Sequence, residues 1–430
     1  MRYKYYHNQI AKTLRFIVEP HRKILFIGSL ESNPFPLKTY PKVELVDESF
    51  ENYKPKDKFD YIVLSGALGK SSDMLQMLKN LQAACHPSTR IIVYQHNHLW
   101  QGFLSLLESL GIKKKEGIQN WLSVLDVKAY LEGAGYEVTR IFKRTLIPLE
   151  LFGAGRLVNS IATYLPFFDF LKLDQYLIAR PYPSIFKESE LPKSLTICLT
   201  VRNEKENIEG IVKDLPKVCK EQEILFVEGH STDGTREEIR RMIKKYPSKN
   251  IHVMGQPGKG QGDAIRVGFK AAKGDIVVLY EGDRTSDVRD LEYFYDAMRR
   301  GRFEFIEGSR FVYPLDPKAM PLPNKIGNIF FAKWFSFFLG QNTTDVLSGI
   351  KAILKRDYDK LYGQWGFLGF NDPFGDFELL YGAARMGLKF GEIPMRYYPR
   401  VYGESKSHVW THGTYLLRMA VKGYLIFRGN

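Results

Sequence analysis

Residues 258–283, GKGQGDAIRVGFKAAKGDIVVLYEGD, decide how this chain is read. Within them Asp275–Tyr280 is a short apolar run that ends on an acid-x-acid pair, Glu281 and Asp283, which predicts a buried strand carrying two carboxylates at its tip. Upstream, Leu195–Leu199 and Glu223–Val227 are apolar runs of similar length, separated by amphipathic stretches that begin near Asn207 and Thr235. Such alternation predicts a parallel sheet flanked by helices. Ligands of open parallel sheets bind beyond the carboxyl ends of the strands, which here selects Arg202, Asn203 and Glu204 after one strand and Glu228, Gly229 and His230 after the next.

The first half repeats the pattern. Strands are expected near Lys23–Ile27, Val43–Val46, Tyr61–Leu64, Arg90–Tyr94 and Glu137–Ile141, with helices near Met74–Cys85, Leu99–Leu110 and Val124–Gly133. Residues 180–194, RPYPSIFKESELPKS, hold three prolines and no periodicity, and read as a boundary. The expected organisation is α/β throughout: two Rossmann-like domains, 1–183 and 194–430, joined by a linker over 184–193.

Composition sets the outer limits. With 430 residues, 44% hydrophobic and 26% charged, the chain is folded protein rather than disordered polymer. The net charge of +14 divides evenly, 26 basic against 19 acidic residues before Ser194 and 36 against 29 from there on, so no basic tail explains it. A diffuse positive surface suits nucleotide phosphates, anionic lipid headgroups or nucleic acid and by itself chooses none of them; on the motifs given below, nucleic acid is not the expected partner. Cys85, Cys198 and Cys219 share no metal-ligand spacing, and a reducing compartment is expected. The opening MRYKYYHNQIAKTLRF has no signal-peptide core, so the expected location is cytoplasmic.

Two segments pattern as amphipathic helices. Residues 325–340 align Ile326, Ile329, Phe330, Trp334, Phe337 and Phe338 beside Lys325 and Lys333, and 411–428 place Arg418 and Lys422 beside Leu417, Ala420, Val421 and Tyr424. Both fit a lipid interface at the inner face of a membrane, while an aromatic face packed into the core is the commoner arrangement for such helices.

Six segments in order, SLTICLTVRNEKENI, EILFVEGHSTDGT, the stretch quoted first, EFIEGSRF, TDVLSGIKAI and GDFELLYGAARMGLKFGEIPMRYYPRVYGESK, resemble inverting glycosyltransferases of family 2 with the GT-A fold, and within them the polyprenyl-phosphate hexosyltransferases of the dolichyl-phosphate mannose synthase type. The resemblance runs from about Ser194 to the end. It implies transfer of a hexose from a UDP- or GDP-linked sugar, a Mg²⁺ or Mn²⁺ ion, and a polyprenyl phosphate or lipid-linked glycan as acceptor. A departing diphosphate gathers negative charge, which a cation held by fixed acids neutralises. By resemblance Asp283 is the metal ligand and Glu281, one methylene longer than the usual Asp, reaches metal or ribose. Glu204 contacts the base or ribose region. Arg202 stands where an aromatic is frequent and Gly229 where an Asp is, which leaves the base open. Lys259, between two glycines, is placed to reach a phosphate or to remain a solvated loop residue.

On the acceptor side, Arg310, Ser348, Arg400 and Lys406 match residues that gather round a phosphate, and Asp376 and Glu378 match an acidic pair near the sugar. A phosphate nucleophile needs cations, whereas a hydroxyl needs a base, for which Asp376 is the candidate. Ion pairs among Arg396, Arg400, Glu404 and Lys406 are the structural alternative. Asp233 and Gly234 read as turn and cap, and His96 with His98 as polar residues at a strand end.

The first half, through KILFIGSLESN, VELVDES, KFDYIVLSGALG and STRIIVYQHN, resembles class I S-adenosylmethionine-dependent methyltransferases. Only Gly28 remains of the glycine-rich turn such enzymes wrap round their cofactor, and Pro34, Pro36 and Pro41 leave little room for the crossover helix. S-adenosylmethionine is therefore not expected, and Asp47, where the ribose-binding acid would stand, reads as a surface residue. The rival readings are a methyltransferase whose second half binds glycans, and a scaffold without catalysis.

Overall fold

The computed structural model describes residues 4–29, 33–47, 53, 55–111, 120–367, 369, 372–400, 402 and 409–430. The chain forms two compact units. The first is Met1–Lys187 with Arg385–Gly387 and Leu425–Asn430, and the second Glu188–Ala384 with Leu388–Tyr424. The division thus falls between the expected boundaries, and the last six residues leave the expected second domain: Arg428 forks onto the Asp169 carboxylate at 2.8 and 2.9 Å inside the first unit.

In the first unit β1 (Ile24–Ile27), β2 (Val43–Val46), β3 (Tyr61–Ser65), β4 (Arg90–His96), β5 (Tyr136–Arg144) and β6 (Asp174–Pro181) form a sheet in the order β2-β1-β3-β4-β6-β5. β1 to β4 are parallel, and β6 runs antiparallel between β4 and β5. Strands buried on both faces explain the continuous apolar runs of the sequence. Leu25, Ile62 and Ile91 pack on one side, and Ile24, Phe26, Val63 and Ile92 on the other. Several elements lie outside the expectation, among them the helix Ala154–Tyr164. The helix Lys4–Ile17 buries Ile10, Leu14 and Ile17, and β6 is buried at all eight positions. Of the three prolines in 180–194, Pro181 ends β6 and Pro183 opens a short 3-10 turn, and the division between the units falls after these two, at Lys187.

The second unit holds β7 (Leu195–Val201), β8 (Gln222–Glu228), β9 (Ile251–Gly255), β10 (Ile276–Glu281), β11 (Phe305–Ser309), β12 (Lys351–Leu354) and β13 (Phe390–Pro394), in the order β13-β11-β12-β10-β7-β8-β9. β10, β7, β8 and β9 are parallel, and β12 is antiparallel to β10 and β11. Ile197, Leu199, Phe226, Val278 and Tyr280 lie in its core. The strand order reverses between β10 and β8, which places the switch point at the carboxyl end of β7.

The amphipathic segments are helices Leu322–Leu339 and Val409–Gly429. Each helix packs part of its apolar surface and leaves part of it exposed. Trp334 and Phe338 meet the Tyr424 ring at 5.1 and 6.1 Å, and Phe335 and Leu339 are buried. Leu322, Ile326, Phe330, Phe337, Leu417 and Val421 are exposed. No described helix is long and apolar enough to cross a membrane.

Candidate active site

Three parallel strands deliver the acids. β7 runs into Arg202, Asn203 and Glu204, where Glu204 opens the helix Lys205–Asp214; β8 ends on Glu228; β10 ends on Glu281, with Asp283 two residues on. Each strand then turns through a residue with positive φ, Asn203 at 53°, His230 at 58° and Arg284 at 56°. The turn after β10 needs Gly282, since a Cβ there would meet Val201 Cγ1 at 2.4 Å. A Cβ on Gly349 would likewise fall 2.3 Å from Glu281 Oε2, so the neighbouring loop approaches the acid at backbone distance.

Glu204 is buried and accepts from Asn207 Nδ2 at 2.7 Å and Arg400 Nη1 at 3.0 Å. Asp283 accepts from Thr285, backbone N at 3.0 Å and Oγ1 at 2.8 Å, on one oxygen and from Arg400 Nη2 at 2.8 Å on the other. Glu281 accepts from Gln261 Nε2 at 2.6 Å. Its carboxyl is pushed up to about 7, first by burial and then by the Asp283 carboxylate, with Asp376 adding to the effect. Asn203 takes its backbone N to Ser231 Oγ at 3.0 Å and receives Thr232 N at 2.9 Å, tying the ends of β7 and β8 together. Glu228, also buried, accepts from Ser231 N at 2.5 Å. Arg202 and Lys259 are exposed, and Gly229 packs against Gln256.

The acceptor set is only partly assembled. Arg400 reaches the donor acids, as described. Arg310 is instead buried in a two-pronged pair with Asp345, at 2.6 and 2.7 Å, so its charge is already answered inside the fold. Ser348 is fully buried against Met395. Arg396 pairs with Asp290 at 2.6 Å. Glu378 is buried and takes Gly366 N at 3.2 Å, with its carboxyl pushed up to about 7 by burial. Lys406 and Glu404 lie outside the described residues. Asp376 opens the helix Asp376–Arg385 and sits 3.0 Å from Lys351 Nζ; burial raises its carboxyl despite the pull of that ammonium.

Sequence reasoning missed Lys351, Gln261, Asp345 and Glu307. Lys351 is completely buried on β12, 2.6 Å from Ser348 O and 3.8 Å from Glu307. A lone lysine inside GIKAIL was the available signal. Around the carboxyl ends of the strands Glu204, Glu281, Asp283, Glu307, Asp345 and Asp376 share space with three cations, Arg310, Lys351 and Arg400. Acid thus outnumbers base, and burial first of all pushes the Glu281 and Glu307 carboxyls up to about 7. Such a surplus, presented by oxygen ligands, fits a hard divalent cation. Among the described residues no three His, Cys, Asp or Glu side chains form a ready-made cage, so a cation at Asp283 and Glu281 would complete its shell with phosphate oxygens and water.

In the first unit, Gly28 is explained by packing, since a Cβ would fall 2.8 Å from Ser65 O. Among the described residues no helix joins β1 to β2. His96 bonds Tyr6 Oη at 2.9 Å and stacks on Trp121.

Residues 196–362 match the model of Glycosyl transferase family 2, so the chain carries a glycosyltransferase family 2 domain. Among similar proteins, Glycosyltransferase AglJ of Haloferax volcanii is 29% identical over 214 residues, 49% of this chain and 65% of the relative. Dolichyl-phosphate hexose transferase of the same organism is 26% identical over 230 residues, 53% of this chain and 92% of the relative. The match thus spans just under two thirds of the first relative's length. Among solved structures, glucosyl-3-phosphoglycerate synthase from Mycobacterium tuberculosis in complex with Mn²⁺, uridine diphosphate and glucosyl-3-phosphoglycerate aligns with a TM-score of 0.39 at 15% identity, covering 57% of this chain and 85% of that one.

Proposed function

We propose that this chain is a metal-dependent, inverting hexosyltransferase of GT-A type, which moves a sugar from a UDP- or GDP-linked donor to a polyprenyl phosphate or lipid-linked glycan at the inner face of a membrane. The observation that carries the reading is the convergence of Glu281 and Asp283 with Glu204 and Asp376 at the strand ends of a family 2 domain. Asp283 and Glu281 would hold a Mg²⁺ or Mn²⁺ ion, which when bound neutralises the leaving diphosphate. Glu204, Asn203 and Glu228 shape the floor on which base and ribose rest, with Arg202 and Gly229 at its rim, and exposed Lys259 lies within a loop able to meet phosphate. A relative named for dolichyl-phosphate hexose transfer supports the lipid acceptor.

A second acceptor reading has its own support. Arg310 is engaged by Asp345 and Ser348 is buried, while Asp376 stands close enough to Glu281 to raise its proton affinity. That favours a sugar hydroxyl as nucleophile, with Asp376 taking its proton. Membrane contact is supported by the exposed stripe Leu322, Ile326, Phe330 and Phe337, beside Lys333 on a helix that carries no acidic residue.

For the first unit we infer a methyltransferase-like sheet without a working cofactor site, supported by four parallel strands led by β1 and β2 and by the absence of a described helix between those two. Binding of S-adenosylmethionine in calorimetry would overturn this. The transferase reading is tested by release of UDP or GDP from a panel of donor sugars with Mg²⁺ or Mn²⁺. Release that vanishes in Asp283→Asn upholds it, and no release from any donor sinks it.

A further inference from the structure

Arg400 lies where its expected partner is not. It was matched to an acceptor phosphate, yet its guanidinium spans two donor-side carboxylates, Glu204 at 3.0 Å and Asp283 at 2.8 Å. These acids follow neighbouring parallel strands, β7 and β10, whose last paired residues include Thr200 and Glu281. The side chain is only 21% exposed, and that of Asp283 13%, so the pair is largely shielded from solvent. The second oxygen of Asp283 is filled by the backbone N and hydroxyl of Thr285. The oxygen with acceptor capacity to spare is therefore the one Arg400 holds, so a cation that takes Asp283 as ligand meets the guanidinium there and is repelled by it.

We infer that Arg400 is the resident counter-cation of the donor site, which the divalent ion displaces from Asp283, and that the displaced guanidinium is the one presented to the acceptor. The inference rests on the assignment of Asp283 as metal ligand made above. One positive charge is exchanged for two at an acidic turn, and the donor's diphosphate supplies the compensating negative charge and the missing oxygen ligands. A guanidinium is suited to both posts, since its planar fork matches carboxylate and phosphate alike. The arrangement makes the ion bind weakly without nucleotide, and it makes the donor enter before the acceptor, because the acceptor's cation is in use until then.

The test is Mn²⁺ binding to the full chain without nucleotide, read from the electron paramagnetic resonance signal of free Mn²⁺. Arg400→Ala is expected to bind Mn²⁺ about tenfold more tightly than the unmodified chain, the size expected for a shielded ion pair that no longer has to be broken. Asp283→Asn is expected to abolish binding in either background. Equal or weaker binding by Arg400→Ala overturns the inference. Should that variant fold poorly, the unmodified chain answers by itself: modification of Arg400 by phenylglyoxal, followed by peptide mass spectrometry, is expected to rise several-fold at saturating Mg²⁺. An unchanged yield overturns the inference too. If the variant binds Mn²⁺ more tightly but no donor sugar is ever turned over, the exchange stands and the transferase reading falls. If neither chain binds Mn²⁺, the inference falls, whatever the donor panel shows.

Discussion

Lys351 Nζ lies 3.0 Å from Asp376 Oδ1, and the pair is largely shielded from water: the lysine is fully buried and the aspartate 13% exposed. An ammonium on a central strand is costly to bury unless its partners are fixed, and here Ser348 O and Glu307 complete its surroundings. Lys351→Met is therefore expected to lower stability by about 3–5 kcal/mol in urea unfolding, because it strands Asp376 and Glu307 as unpaired buried acids. Lys351→Met combined with Asp376→Asn should recover part of that loss.

Arg310 separates a structural role from a substrate contact. Its two bonds to Asp345 are buried, so Arg310→Met should cost about 3–5 kcal/mol by stranding Asp345, and Arg310→Met/Asp345→Leu less. Steady-state kinetics on the folded fraction should show an unchanged KM for the acceptor.

Gln261 donates to Glu281 and holds it beside Asp283. Gln261→Leu keeps the volume and removes the bond, and Mn²⁺ affinity in the presence of UDP is expected to fall about fivefold, a loss of roughly 1 kcal/mol. Calorimetry reads it directly.

Much of this was legible beforehand. The strands β1, β3, β7, β8 and β10 are doubly buried, and such strands announce themselves as unbroken apolar runs; the acids at their tips follow from the switch-point rule. β6 was hidden because DQYLIARP mixes polar residues into a fully buried strand: Gln175 and Arg180 are buried, and Arg180 is paired with Glu137 at 2.8 Å. The internal partners of Arg310 and Lys351 were not legible for one shared reason. Whether a cation faces a substrate or an internal carboxylate depends on a partner distant along the chain, and periodicity carries no record of Asp345 or Asp376.

Asp174 offers a pH signature in the first unit. It is fully buried, accepts from Tyr6 Oη at 2.5 Å, and its carboxyl is pushed up to about 7 by burial. A raised folded-state value means the folded chain holds the proton more firmly than the unfolded one. Stability is thus greatest below the ordinary carboxylic range and falls as pH rises towards about 7, by at most about 1.4 kcal/mol per pH unit. Unfolding by urea at pH 5.5 and 7.5 should show this decline, and Asp174→Asn should reduce it.

Lipid contact has a direct assay. Phe330 and Lys333 are exposed on the same helix. Phe330→Glu and Lys333→Glu should each reduce co-sedimentation with phosphatidylglycerol vesicles several-fold, about 1 kcal/mol or more, and leave the unfolding midpoint unchanged.

The four-residue strand β12 has an unforgiving alignment. Lys351 lies opposite Leu279 and Glu307, and the next residue, Ala352, belongs to the apolar layer on the other face. A slip by one position would thrust the ammonium into hydrocarbon and leave a methyl group among carboxylates, an error punished twice. Charge here acts as a latch on strand threading, and misaligned forms of the sheet should be rejected early in folding rather than tolerated as alternatives.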